Sequence, residues 1–155
     1  MNKRMFLILL GLVVAGVVIL TVIAWALETN PPVVKEPPWN SPQTRALAVR
    51  ACFDCHSNQT QWPWYDRMPV GSWIAVFDTV RGRNRLNFSE YGVARAGGEG
   101  GTDGGGEGGR GGDNMSRVIQ DGSMPPAIYT MMHPKAILTD QEKQQLIDGL
   151  AQSLK

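Results

Sequence analysis

The chain of 155 residues carries 15 basic and 14 acidic side chains, for a net charge of +1, and only two cysteines. That balance leaves no concentrated basic surface and so argues against nucleic acid as a partner. Two cysteines three residues apart are not the disulfide framework of a small secreted domain, and the length supports one modest domain.

In chain order, the first element is the run Met5 through Leu27, without a charged side chain. As a helix rising ~1.5 Å per residue it would be ~34 Å long, enough to cross a hydrocarbon core of ~30 Å. Lys3 and Arg4 precede it and Glu28 follows. Positive charge stays inside, which predicts residues 1–4 in the cytoplasm, a single span over 5–27 and the rest of the chain outside. Ala24-Trp25-Ala26 could pass for a signal-peptide cleavage site, but the apolar run exceeds the usual ~7–15 residues of such peptides and reads as an uncleaved anchor. Residues 28–40 form a linker, in which Asn30 to Pro38 (NPPVVKEPP) predicts an extended spacer that lifts the following domain off the bilayer.

The domain, 41–155, opens with Ser41 as N-cap and Pro42 at the first helical position, predicting a helix that runs on to His56. Apolar spacing predicts a second helix over Val70 to Val80, with Gly71 and Gly82 blurring its ends. Residues 97–112 hold 11 glycines in 16 positions and read as a flexible surface insert. They lack the Gly-Lys-Ser/Thr ending of a phosphate-binding loop and the spacing of a calcium repeat. Thr139 and Glu142 make a capping box before a helix whose apolar face is Leu146, Ile147, Leu150 and Leu154. No strand pattern stands out, so the fold class is mainly α.

The chemistry concentrates in Cys52-Phe53-Asp54-Cys55-His56. Cys-x-x-Cys-His is the attachment signature of a c-type haem. Residues i and i+3 share a helix face, so both thiols can reach the vinyl groups of one porphyrin while His56 ligates the iron. A zinc site would want more ligands than this chain offers beyond His133, and a thioredoxin-like dithiol would want a βαβ context. The sixth iron ligand is less determined. Met124, in Ser123-Met124-Pro125-Pro126, is favoured because thioether ligation is common in cytochromes c. His133 is the alternative, and Met68, Met115, Met131 and Met132 are further candidates. Trp62, Trp64 and Tyr65 are expected to wall the haem. Arg81, Arg83 and Arg85 read as a solvated face, unless they meet a propionate or an acidic partner.

These residues lie within CFDCHSNQTQWPWY (52–65), GRNRLNFSEY (82–91) and SMPPAIYTMMHPKAILTDQE (123–142). In them the chain resembles the bacterial haem-binding domain family of cytochrome-c-like proteins. The resemblance implies a small cytochrome-c-like helical domain with one haem c, attached through Cys52 and Cys55, with His56 as proximal ligand and Met124 at the matching distal position. The glycine-rich insert departs from the family pattern and separates Met124 from His56 in sequence. The expected protein is a single-pass protein of the bacterial cytoplasmic membrane with its haem domain outside, in the periplasm. It would transfer single electrons with redox protein partners or within a respiratory or photosynthetic membrane complex. It would not be an enzyme itself. A haem-based ligand sensor or peroxidase-like enzyme with a labile sixth ligand is the rival expectation, and a structural subunit with a vestigial haem a third.

Overall fold

A computed structural model describes residues 2–93 and 110–154. Residues 97–109 of the glycine-rich insert lie outside the described residues, and its last three, 110–112, belong to a helix. The described chain is mainly helical, as its sequence pattern implied, and contains no strand; one isolated parallel bridge joins Lys35 to Glu90.

Helix α1 spans Lys3–Leu27 and is capped by the Asn2 side chain, which accepts from the Arg4 amide. It is long and apolar enough to cross a membrane. Along its whole length only Thr21 and Ala24 are buried.

The proline-rich segment after α1 is not a free-standing spacer. It is strapped to the domain by hydrogen bonds at nearly every turn. Arg83 donates to the carbonyl of Thr29 and to Asn30 Oδ1, and Asn58 donates to the carbonyl of Pro32. The Val34 and Lys35 amides both donate to the Ser89 carbonyl, and Tyr91 donates back to Lys35. Prolines supply no amide donors, so the strap is held mostly by its carbonyls and its few non-proline residues. A proline-rich composition signals stiffness, but it does not say what the stiff segment lies against.

Helix α2 (Pro42–Ala51) starts where Ser41 and Pro42 predict. The expected run to His56 is broken at Cys52, which has φ −126° and ψ −33°. Its amide closes α2 on the Ala48 carbonyl, and its carbonyl opens α3 (Phe53–His56) by accepting from Cys55 and His56. After a 3-10 turn at Trp64–Arg67 comes α4 (Pro69–Arg85), which runs past both predicted ends. Gly71 and Gly82 lie inside it because other backbone comes too close for a side chain. A Cβ at Gly71 would collide with the Tyr65 carbonyl, and one at Gly82 with the Cys55 carbonyl. Close approach, rather than helix breaking, explains these glycines.

Helices α5 (Arg110–Gln120), α6 (Ala127–Met132) and α7 (Asp140–Ser153) complete the fold, with a 3-10 turn at Pro134–Ala136 before α7. The capping box of Thr139 and Glu142 forms as read. Leu146, Leu150 and Leu154 are buried and Ile147 packs beside them, so the apolar face of α7 is core. That face meets α2 and α5 around Leu47, Ala48 and Ile119. An aromatic group of Trp39, Phe53 and Phe88 closes the core, with ring centroids 5.3–6.1 Å apart. The Cys52–His56 segment is therefore mounted on the core through Phe53.

Candidate haem site

His56 stands just past the second cysteine, on the last residue of α3. Its Nδ1 lies 3.1 Å from the Leu86 carbonyl. A carbonyl only accepts, so Nδ1 carries the proton and Nε2 keeps its lone pair. Burial pushes the imidazole pKa down, which favours the neutral form that can ligate a metal. A fixed tautomer with the second nitrogen hydrogen-bonded to backbone is the arrangement metal-ligating histidines adopt. The segment is locked from below as well. Phe88 donates its amide to the His56 carbonyl, Ser57 Oγ donates to Phe53, and Ser89 Oγ accepts from the Asn58 amide. Asn87 in turn donates to Asn58 Oδ1 at 2.8 Å. The stretches 52–65 and 82–91 are thus one interlocked unit.

Cys52 and Cys55 are free thiols. Burial pushes both up to about 12, with neighbouring Asp78 and Asp54 adding to the effect at Cys55. Their carrier segment sits against α4, and Thr79 donates to the Asp54 carbonyl.

Beside Cys55 opens a cavity of about 520 Å³ with a strongly apolar wall. That volume lies within the ~300–1,000 Å³ of cofactor-sized sites. Trp62, Tyr65, Met68, Ile74, Tyr129 and His133 are among its lining residues. Cys52, His56 and Met124 are not among them. Met124 is half-buried in the turn between α5 and α6, where its amide donates to the Val118 carbonyl. Of the other candidate ligands, Met68, Met131 and Met132 line the cavity, whereas Met115 packs against the core. Trp64, expected in the wall, is 71% exposed and contributes only an edge contact to Tyr65. On the 3-10 turn consecutive residues are about 120° apart, so Trp64 and Tyr65 leave it in different directions.

Across the cavity runs a polar network. Tyr65 Oη and His133 Nε2 are 2.9 Å apart, His133 stacks on Tyr129 at 4.2 Å, and Tyr129 Oη donates to Asp54 Oδ2 at 2.7 Å. Burial, with Asp54 adding to it, raises both phenol pKa values, so both stay protonated. Asp54 and Tyr129 are site residues that the sequence did not single out. The position of Asp54 between the two cysteines was the one available signal. Arg83 also departs from expectation: it is no solvated side chain but a clamp, donating to Ser57, Thr29, Asn30 and Thr60 at 2.7–2.9 Å.

Two features are compatible with a haem: an apolar cavity beside the half-buried Cys55 and, outside its lining, a histidine whose Nδ1 is tied to a backbone carbonyl. Neither the curated proteins nor the solved structures contain a match to this chain. A family profile described as a haem-binding domain does match, over residues 15–152. With most of its length covered by that match, the chain belongs to the haem-binding domain family and is a haem protein.

Proposed function

We propose that the protein is a membrane-anchored monohaem c-type cytochrome that passes single electrons at the outer surface of the bacterial cytoplasmic membrane. The observation that carries this reading is His56, directly after the Cys-x-x-Cys pair, with its Nδ1 proton donated to the Leu86 carbonyl. Cys52 and Cys55 would hold haem c as thioethers and His56 Nε2 would be the proximal ligand. The bound haem supplies one-electron exchange between ferric and ferrous iron. The chain's own part is to exclude water through the apolar cavity wall and to fix the ligand tautomer.

Met124 is the proposed sixth ligand. His133 is the weaker choice, because its Nε2 is already engaged by Tyr65 and its ring is stacked on Tyr129. With both axial positions filled by protein, electron transfer is the chemistry that remains, and the protein would not be an enzyme on its own. Helix α1 is the anchor, with residues 1–4 inside. The redox partners would be soluble carriers or a membrane electron-transfer complex. The His133–Tyr65 contact at the cavity favours one rival, a ligand-binding sensor or peroxidase-like site.

Acid–acetone extraction of the purified protein tests the attachment. Haem should stay with the chain. It should become fully extractable in a Cys52→Ser, Cys55→Ser double variant. Complete extraction from the wild type would contradict the proposal.

A further inference from the structure

Helix α4 presents a face that the haem cavity does not use. Trp73, Phe77 and Val80 recur at helical spacing, are 37%, 60% and 48% exposed, and lie outside the cavity lining. The Arg81 guanidinium sits 5.8 Å over the Phe77 ring. Arg81 and Arg85 on α4 and Arg67 in the preceding turn are exposed.

The neighbour of α4 sets the level at which this face lies. Helix α4 is the element packed most extensively on α1, and α1 is buried only at Thr21 and Ala24. Trp25 Nε1 donates to the carbonyl of Asp66, in the turn that leads into α4. Thr21 lies ~9 Å along the helix axis before Leu27, at ~1.5 Å per residue. An element in contact with the span at that level is at the depth of the headgroups and upper acyl chains, not above them. A soluble protein does not reach that depth, whereas lipid is already there. Aromatic and aliphatic side chains flanked by arginines are what such an interface selects, and arginines meet anionic headgroups favourably.

We infer that α4 is a membrane-interface helix, with Trp73, Phe77 and Val80 among the lipid of the leaflet where α1 ends and Arg67, Arg81 and Arg85 on the phosphates. This rests on the reading of α1 as the anchor. The strapped linker agrees with it, since a domain bonded to the residues directly after the span cannot stand off from the surface. Gly71, Ile74, Ala75 and Asp78 of the same helix line the cavity. The haem cavity is therefore held at the bilayer surface.

Photo-crosslinking of the full-length holoprotein in vesicles of phosphatidylcholine and phosphatidylglycerol tests this. p-Benzoylphenylalanine would replace, one at a time, Phe77, Val80, Ile23 on the exposed side of α1, and Gln144 on α7. Irradiation followed by mass spectrometry reads the lipid adducts. Adducts at Ile23 and at Phe77 or Val80, several-fold above Gln144, are expected. Adducts at Ile23 with none at either α4 position would overturn the interface helix and leave the anchor standing. Equal labelling at Gln144 would also overturn it, by removing any preference for this face. No adduct at Ile23 would overturn the anchor and the inference with it.

Discussion

Around the haem site the individual side chains divide by the distance over which they act. Cys52, Cys55 and His56 are legible in the sequence because their chemistry is local: three residues on one turn carry the whole signature. Tyr129 and Asp54 are 75 positions apart, and Arg83 reaches Thr29 across 54, so their partnerships exist only once the chain is folded. Met124 and His133 were both candidates in the sequence; His133 lines the cavity with its ring already engaged by Tyr65 and Tyr129, and Met124 lies outside that lining. His133 has a hydrogen-bond partner and a stacking partner, either of which it would lose on ligating. On the proposal that Met124 is the ligand, replacing it by Ala should lower the midpoint potential by on the order of 0.1–0.3 V, a part of the ~0.8 V that axial ligands command. It should also abolish the thioether-to-ferric-iron absorption band. Replacing His133 by Ala should leave that band in place. Redox titration of both variants checks the pair, and an unchanged potential in the Met124 variant would remove it as ligand.

At the scale of elements, periodicity and caps located α2 and α7 well, since Ser41 and the Thr139–Glu142 box are sequence-local devices. Three features depended on packing instead. Gly71 and Gly82 sit inside α4 where other backbone approaches closely, and at Cys52 the hydrogen-bond ladder passes from Ala48 to Cys55 and His56. Helix α5 begins within a glycine-dense stretch of low intrinsic propensity, and the burial of Ile119 against the core outweighs that. The linker is the fourth case, and its tie point is Glu36. Arg45 donates to both of its carboxylate oxygens at 2.7 Å, Trp39 donates at 2.7 Å and Gln59 at 3.3 Å. The Arg45 hydrogen bonds foremost hold Glu36 down at about 2. A depressed folded-state pKa contributes stability above the ordinary value near 4.5, lost as pH falls towards 2. Because Arg45 is 42% exposed, solvent screening limits the effect. Glu36→Gln should cost about 1 kcal/mol at neutral pH, and the gap to the wild type should close between pH 4.5 and 2. Thermal unfolding over a pH series reads both. A gap that widens in acid would contradict the assignment.

For the whole molecule, three parts are joined more closely than their composition suggested. Helix α1, the proline-rich strap and the haem domain share hydrogen bonds from Trp25 through Arg83 to Asn58, so they form a continuous structure. If α1 is the proposed anchor, a domain held this way would meet redox partners at the membrane surface and in few orientations. Its haem would then be restricted to short-range exchange, which suits an electron carrier and suits a diffusible enzyme poorly. If, as proposed, His56 and Met124 fill both axial positions, ligand access to the iron should be closed in the resting protein.

The measurement that bears most directly on this is the optical spectrum of the detergent-purified protein, oxidised, reduced, and reduced under carbon monoxide. A low-spin c-type spectrum with the thioether-to-ferric-iron band, unchanged by carbon monoxide, is the expected result. Rapid carbon monoxide binding would contradict the electron-carrier account and point to a ligand-binding or peroxidase-like haem.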